Sequence, residues 1–135
     1  LEDRYRNDFD GGKTPEETLD LLITALKAGD AENASRYWVL REQKKEQAFL
    51  EEILKERGSF DQSLDFFIRI KEKGTKWCNE KGNGCIFEYI YTEVATTTYK
   101  IRGSNDTIVV PAGEKTTESA SFKINEYTNV WKIDQ

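Results

Sequence analysis

The sequence predicts an α+β domain in which N-terminal helices pack on one side of an antiparallel β-sheet. Apolar residues recur at helical spacing in the first half of the chain, whereas β-branched and aromatic residues dominate after Gly74. Helices that precede a run of antiparallel strands are typical of this fold class. With 135 residues, the chain is long enough for one domain of this kind and too short for two.

The first residues differ in composition from the rest of the chain. Residues 1–13 are polar and charged and end near Gly11 and Gly12, so we predict a flexible leader there and a single domain over residues 14–135. The chain starts at Leu1 and contains no methionine. We therefore expect that a signal peptide or another upstream segment was removed.

Capping residues and apolar periodicity predict four helices, at residues 14–29, 30–38 and about 41–57, and from residue 59 onward. Thr14, Pro15 and Glu17 form a helix start with a capping-box pattern. Asp30 is the expected N-cap of the second helix. We expect the third helix to stop at Gly58, because glycine commonly follows the last turn of a helix.

Six strands are predicted, at residues 75–79, 84–94, 97–102, 107–110, 116–125 and 130–133. Short turn-forming segments join them in pairs, which predicts three hairpins. In the last pair of strands, apolar and polar residues alternate regularly. Ala120, Phe122 and Ile124 share one face of their strand, and Trp131 and Ile133 share one face of theirs.

Composition excludes several kinds of site and partner. The absence of histidine removes the Ser-His-Asp triad, and two cysteines are too few for a four-ligand zinc site, so we predict no metal and no cofactor. The formal charge of −5 argues against nucleic acid as a partner. The densest charged stretch, residues 41–57, balances its charges and predicts a solvated helix face. No apolar run reaches the ~18 residues of a membrane-spanning helix.

The two cysteines lie at symmetric positions about the first predicted hairpin turn. Cys78 and Cys85 flank Lys81 and Gly82, and residues opposite each other in such a hairpin have Cα atoms about 4.5–5.5 Å apart. This separation suits a disulfide, so we predict one, together with a location outside the cytoplasm. The alternative is a pair of reduced thiols in a cytosolic protein.

Two stretches resemble nuclear transport factor 2-like domains. TPEETLDLLITALKAGDAENASRYW, at residues 14–38, is similar to their capped first helix, the following turn and a second helix that ends in aromatic residues. SFKINEYTNVWKID, at residues 121–134, is similar to their final hairpin. The resemblance implies a cone in which a bent sheet wraps the helices and often leaves an apolar pocket. Many such members are domains of bacterial surface lipoproteins, which implies a membrane tether upstream of residue 1.

Glu88 is the candidate for acid/base chemistry, which a chain without histidine must assign to carboxylates and tyrosines. It lies between Ile86 and Ile90 on the predicted strand 84–94, and we expect it to face inward. The alternative is an edge or ion-paired residue.

Six aromatic residues are candidates for enclosing an apolar ligand or for contacting a partner. They are Tyr37, Trp38, Phe67, Tyr89, Tyr91 and Tyr99. For Tyr37 and Trp38 the alternative is a place in the hydrophobic core.

These observations favour a non-enzymatic binding or accessory domain of a secreted or lipid-anchored bacterial envelope protein. Its partner would be a small apolar ligand or a protein. One alternative is a small acid/base enzyme, isomerase-like or hydrolase-like, that uses Glu88. A second alternative is a dimerisation module in which Phe87, Tyr89 and Tyr91 cover the sheet of a partner. From these aromatic residues, together with Tyr99 and Ile101 on a later strand, we predict a weak homodimer.

Overall fold

A computed structural model of the chain describes residues 2–101 and 103–135. Within these residues helices precede strands, which confirms the predicted α+β class. The helices are α1 (Glu2–Arg6), α2 (Pro15–Lys27), α3 (Ala31–Ser35), a short 3₁₀ helix (Leu40–Glu42), α4 (Gln43–Leu54) and α5 (Arg57–Lys73). The strands are β1 (Thr75–Cys78), β2 (Gly84–Thr92), β3 (Thr97–Lys100), β4 (Thr107–Val110), β5 (Lys115–Asn125) and β6 (Val130–Ile133).

The first long helix, α2, begins where the capping pattern predicts. Thr14 is its N-cap, and the backbone N–H of Glu17 donates to Thr14 Oγ1 at 3.1 Å. Glu17 Oε2 accepts from the N–H of Lys13 at 2.7 Å, so the capping box closes one residue earlier than in the usual pattern. The apolar stripe of this helix, which includes Leu19 and Leu22, is completely buried in the core.

The boundary between α4 and α5 differs from the predicted one. Because α4 ends at Leu54 and α5 begins at Arg57, Gly58 and Ser59 lie in the first turn of α5. The hydroxyl of Ser59 donates to Glu56 Oε2 at 3.1 Å and does not cap the helix. The stop predicted at Gly58 is therefore wrong, since a glycine inside a helix costs only about 1 kcal/mol and does not by itself end it.

The strands form two sheets. The main sheet is antiparallel with the order β1-β2-β5-β6, and β3 and β4 form a separate two-stranded sheet. The chain therefore leaves the main sheet after β2, makes the β3–β4 hairpin and returns as β5 beside β2. The three predicted hairpins are confirmed. The predicted end of the third strand at Arg102 falls outside the described residues.

The helices cover the face of the main sheet that carries Phe87 and Phe122, whose rings meet edge to face at 5.4 Å. Tyr89 packs against this core from the same face. Glu88 lies on the other face, opposite Ser119 of β5, so the prediction that it points inward is wrong. Alternation along a strand determines which residues share a face but not which face meets the helices.

The dimerisation alternative requires an exposed aromatic surface at Phe87, Tyr89 and Tyr91. In the structure Phe87 is buried, and the other two side chains are partly buried beneath α5. Lys73 and Arg69 of that helix lie over the rings of Tyr89 and Tyr91, 5.6 and 5.9 Å from their centroids. These aromatic residues face the chain's own helices and leave no such surface for a partner.

The N-terminal segment packs on the domain. The sequence predicts a flexible leader over residues 1–13, but Asp8 is buried, with its Oδ1 3.0 Å from Lys132 Nζ. The N–H of Trp131 donates to the carbonyl of Gly12 at 2.9 Å, which attaches the segment to β6. A Cβ atom at Gly12 would clash with α2. This glycine therefore permits a close approach of two segments.

The predicted disulfide is confirmed. Cys78 and Cys85 lie opposite each other in β1 and β2 and form a disulfide, with their Cα atoms 4.0 Å apart. Such bonds are typical of proteins outside the cytoplasm, and the disulfide is consistent with that location. Within the described residues, no helix combines the length and the apolar character needed to span a bilayer.

Replacing both Cys78 and Cys85 with serine is expected to lower the free energy of unfolding by about 2 kcal/mol. The loop closed by the bond is short, so its removal gives the unfolded chain only a modest gain in entropy. Urea denaturation of the parent and the double variant measures the difference. The parent should also be about 2 Da lighter without reductant, because one bridge removes two hydrogens. Two thiols that alkylate freely in the native protein would contradict the bond.

Candidate functional site

A groove lies between the β3–β4 hairpin and the helices α4 and α5, and we call it the hairpin groove. It consists of two adjoining cavities of about 360 and 220 Å³, and Phe49, Ile53 and Lys100 line both. The other lining residues are Lys45, Glu46, Ala48, Glu52, Gly103, Ser104 and Asn105 in the larger cavity and Ser59, Gln62, Ser63, Phe66, Tyr99 and Gln135 in the smaller one.

The floor of the hairpin groove is apolar. Ile53 follows Phe49 by one helical turn, so both side chains lie on the same face of α4. Phe66 of α5 adds a second aromatic ring. Ile53 is buried, whereas Phe49 and Phe66 are partly buried against the core. The floor of the groove is therefore apolar, with the partly buried rings of Phe49 and Phe66 beside the buried Ile53.

The rim of the hairpin groove carries charged side chains. Lys45 and Lys100 have no ion-pair partner in the part of the chain that the structure describes. Glu52 is paired with Lys55, whose Nζ lies 3.3 Å from its Oε2. Glu46 is only 2% exposed and is held by a contact within the chain. Among the described residues that line the groove, the charges without an ion-pair partner are therefore the two lysine ammonium groups.

Tyr99 connects the groove to a partly buried polar cluster. Its Oη donates to Glu93 Oε1, and the Oη of Tyr91 lies 2.6 Å from the Oη of Tyr99. The hydroxyl of Thr97 donates to Glu93 Oε2 at 3.1 Å, and that of Thr116 donates to Oε1 at 3.2 Å. Because Tyr99 directs its proton to Glu93, Tyr91 is the donor between the two tyrosines. We call these five residues the Glu93 cluster.

The hydrogen bonds of the Glu93 cluster determine its protonation state. The bond from Tyr99 lowers the pKa of Glu93 below its ordinary value, because it stabilises the ionised carboxylate. Burial, reinforced by the bond to Glu93, raises the pKa of Tyr99 well above 10.0. Near neutral pH the carboxylate is charged and the phenol is neutral. Since both carboxylate oxygens already accept hydrogen bonds, Glu93 fastens the hairpin and is poorly suited to act as a general base.

An ion pair beside this cluster fastens α5 to the sheet. Nε and Nη2 of Arg69 donate to the two carboxylate oxygens of Glu118 at 2.8 and 2.7 Å. The bond to Glu118 raises the pKa of Arg69. Together with the contact of Arg69 over Tyr91, it holds α5, β2 and β5 together at the end of the sheet where the hairpin starts.

Two of the aromatic residues predicted to bind a ligand belong to the core. Trp38 and Phe67 are completely buried, and their rings meet edge to face at 5.8 Å. Tyr37 is partly buried on another side of the molecule, where its carbonyl accepts from the N–H of Ile133 at 2.8 Å. None of these three side chains lines the hairpin groove.

The other three predicted aromatic residues lie together. Tyr89 and Tyr91 are stacked with their centroids 5.5 Å apart, and Tyr91 contacts Tyr99 through the hydroxyl groups. Tyr99 also lines the hairpin groove, so it is the predicted residue that the structure places at the candidate site. Glu88 lines neither cavity of that groove.

A larger cleft, of about 540 Å³, lies near the N-terminus. Its most buried charge, Lys132, is paired with Asp8, and its Arg41 donates to Asp134 Oδ1 at 2.7 Å. The cleft marks the junction between the N-terminal segment and the domain, and none of the six predicted aromatic residues lines it. The hairpin groove is taken as the candidate site because Tyr99, one of the predicted aromatic residues, lines it and its floor is apolar.

Sequence reasoning missed most of the groove. Apolar periodicity predicts a buried helix face at Phe49 and Ile53, but not that this face lines a cavity. Lys45 lies in a stretch of balanced charge that is typical of a solvated helix face. Lys100 is the only charged residue in β3, and this isolated charge is the one sequence feature that could have indicated a role for it at a site. It does not reveal that Lys45 and Lys100 border the same cavity.

The described residues contain no group of three His, Cys, Asp or Glu side chains that could hold a metal ion. Comparison of the chain with models of protein families, with curated proteins and with solved structures finds no match.

Proposed function

We propose that this chain is a non-enzymatic binding domain of a secreted or cell-surface protein and that the hairpin groove takes a small, mainly apolar ligand. The proposal is carried by one observation, the pair of adjoining cavities whose apolar floor is formed by Phe49, Ile53 and Phe66. Concave sites with an apolar lining and a few polar groups at the edge are the usual form of small-molecule sites. The larger cavity, of about 360 Å³, lies within their common size range.

The free charges at the rim favour a ligand with an anionic end. Lys45 and Lys100 carry ammonium groups without ion-pair partners in the described part of the chain. A carboxylate at the rim would satisfy them, while the apolar remainder of the ligand covers Phe49 and Ile53. An amphiphile of this kind matches both parts of the groove.

The protonation of nearby groups supports binding over catalysis. Glu93 is ionised and accepts hydrogen bonds at both oxygens, and Glu88 lies on the outer face of the sheet. Among the carboxylates that line the groove, Glu46 is the buried one and is therefore the candidate that an acid/base enzyme would use. Hydrolysis of a small ester or lactone that is lost in Glu46→Gln would contradict the non-enzymatic proposal.

A nuclear transport factor 2-like fold and an envelope location belong to the same proposal. The resemblance of residues 14–38 and 121–134 supports the family, and a groove between helices and strands agrees with the pocket that such domains often have. The disulfide between Cys78 and Cys85 supports a place outside the cytoplasm. A lipid anchor upstream of residue 1 would then hold the domain at the cell surface.

Ala48→Trp is expected to weaken the binding of N-phenyl-1-naphthylamine, a neutral apolar dye, at least tenfold. Ala48 is exposed at the wall of the larger cavity, so the added indole occupies ligand space without removing a core contact. Fluorescence titration measures the affinity. Ala112→Trp makes the same change at an exposed position outside the groove and should leave the affinity unchanged.

Competition for the bound dye tests the charge preference of the groove. Decanoate should displace the dye at lower concentration than decylammonium, and the double variant Lys45→Ser/Lys100→Ser should lose this preference. Failure of the parent to bind the dye saturably, or an equal loss of affinity in the two tryptophan variants, would overturn the proposed function.

A further inference from the structure

The β3–β4 hairpin is a separate two-stranded sheet. Two strands alone are marginally stable, and a hairpin gains stability from packing or from additional strands. The Glu93 cluster fastens the hairpin through Tyr99 and Thr97, whose side chains come from one of its faces. No further strand covers either of its outer edges within the described residues.

Backbone groups along the outer edge of β4 are unpaired. The bond from the N–H of Ile101 to the carbonyl of Asp106, at 3.0 Å, marks these residues as a hydrogen-bonded pair. Such pairs alternate with non-hydrogen-bonded pairs along an antiparallel ladder, so Ile108 is bonded to β3. The N–H and C=O groups of Thr107 and Val109 therefore point away from β3. None of these four groups has a backbone partner in the described part of the chain.

Strand β4 also lacks the features that usually protect an edge. It has no charged residue, and Ile108 and Val109 are 51% and 60% exposed. By contrast, β1 carries Lys76 at the edge of the main sheet, and the backbone of residues 37–39 covers the edge of β6. On the opposite edge of the hairpin, β3 carries Lys100. The outer edge of β4 is thus the exposed edge best suited to pair with another strand.

We propose that β4 pairs antiparallel with β4 of a second copy of this chain, about a two-fold axis that passes at Ile108. In this register Thr107 lies opposite Val109 of the second copy, and Val109 lies opposite its Thr107. The outward N–H and C=O groups of both residues are then satisfied, which gives four backbone hydrogen bonds and a continuous four-stranded sheet. The proposal does not depend on the ligand of the hairpin groove.

A second copy fits this edge because the strand is complementary to itself. Thr107 and Val109 are placed symmetrically about Ile108, so a two-fold axis brings every outward donor to an outward acceptor. No like charges meet, since β4 is uncharged. The contact is short and falls below the roughly 1,200 Å² of stable interfaces. The dimer is therefore weak, as the sequence predicts, but its interface differs from the aromatic surface predicted there.

Proline substitution tests this edge without breaking the hairpin. Val109→Pro removes an outward N–H from β4 and leaves the bonds between β3 and β4 in place. Thr98→Pro is the matched control, because Thr98 lies opposite Val109 and its N–H points outward on the β3 edge. Sedimentation velocity from micromolar to millimolar concentration should show dimer formation by the parent and Thr98→Pro. Dimerisation should be at least tenfold weaker in Val109→Pro.

A cysteine at the axis tests the register. In the proposed dimer the two Ile108 residues form a non-hydrogen-bonded pair with Cα atoms about 4.5 Å apart, within the range of a disulfide. Ile108→Cys should therefore cross-link into a dimer under mild oxidation, whereas Thr98→Cys should not. A parent that stays a 15.6 kDa monomer at every concentration would overturn the proposal. Equal effects of the two proline variants, or equal cross-linking of the two cysteine variants, would also overturn it.

Discussion

Phe67→Ala is expected to lower the free energy of unfolding by about 4 kcal/mol, because it removes a completely buried ring from the centre of the core. The ring of Phe67 meets Trp38 at 5.8 Å and Phe66 at 4.9 Å, both edge to face, so the substitution also removes two aromatic contacts. The cavity left behind cannot be filled by small shifts of such large neighbours. Urea denaturation, followed by tryptophan fluorescence and circular dichroism, measures the loss.

Phe9→Ala is the matched control, since Phe9 is 66% exposed and its loss should change the unfolding free energy by less than about 0.5 kcal/mol. The experiment also separates a core residue from a ligand contact. Phe67 does not line the hairpin groove, so folded Phe67→Ala protein should bind the apolar dye with parental affinity. Unchanged stability together with lost dye binding would show that the predicted ligand role of Phe67 is correct.

Local signals were sufficient to predict the helix caps and the hairpins. Thr14 and Asp30 cap their helices, the latter by accepting from the N–H of Asn33 at 3.0 Å. The pairing of Cys78 with Cys85 follows from their positions on either side of a short turn. Each of these features depends on residues that are close together in the chain, so the sequence contains the information needed.

The choice of face on β2 required information from the whole fold. Alternation places Phe87 and Tyr89 on one side and Glu88 on the other, and either side could in principle meet the helices. The folded chain buries the side with Phe87, since an aromatic ring removes a large apolar area from water and Glu88 on the outer side keeps its contact with solvent.

The hairpin groove depends on a contact between distant parts of the chain. Phe49 lies on α4 and Lys100 lies on β3, and nothing in their local sequences indicates that they border one cavity. The position of the hairpin is determined by the bonds of Glu93 to Tyr99 and Thr116, which join β3 to β5. This network joins residues from different strands and a loop, so local sequence patterns do not reveal it.

The burial of Lys132 by the N-terminal segment also could not be predicted from local sequence. Lys132 lies between Trp131 and Ile133, and alternation alone predicts that its side chain points away from the core into solvent. It does point to the outer face, but the segment around Asp8 covers it, so the lysine is 2% exposed. A charged residue that is buried by a distant segment leaves no local signal in either stretch of sequence.

Lys132→Met is expected to lower the free energy of unfolding by about 3 kcal/mol, because it leaves the buried Asp8 carboxylate without the hydrogen bond that Lys132 donates. Lys132 Nζ donates to Asp8 Oδ1 at 3.0 Å, to the carbonyl of Asp10 at 2.6 Å and to the carbonyl of Arg36. The double variant Asp8→Leu/Lys132→Met should recover most of the loss, since apolar residues can replace a buried ion pair. Urea denaturation of the parent, both single variants and the double variant gives the coupling free energy between Asp8 and Lys132. Additive losses would contradict a specific pair.

The pH dependence of this difference tests which force dominates at Lys132. Burial lowers the pKa of the Lys132 ammonium below its ordinary value of 10.5, while Asp8 acts in the opposite direction. Between the lowered pKa and 10.5 the unfolded chain therefore binds more protons at this site, so the site's contribution to the unfolding free energy rises with pH. Lys132→Met lacks this contribution, and the stability gap between parent and variant should widen as the pH rises through that window. A gap that narrows would mean that attraction to Asp8 outweighs the cost of burying the ammonium group.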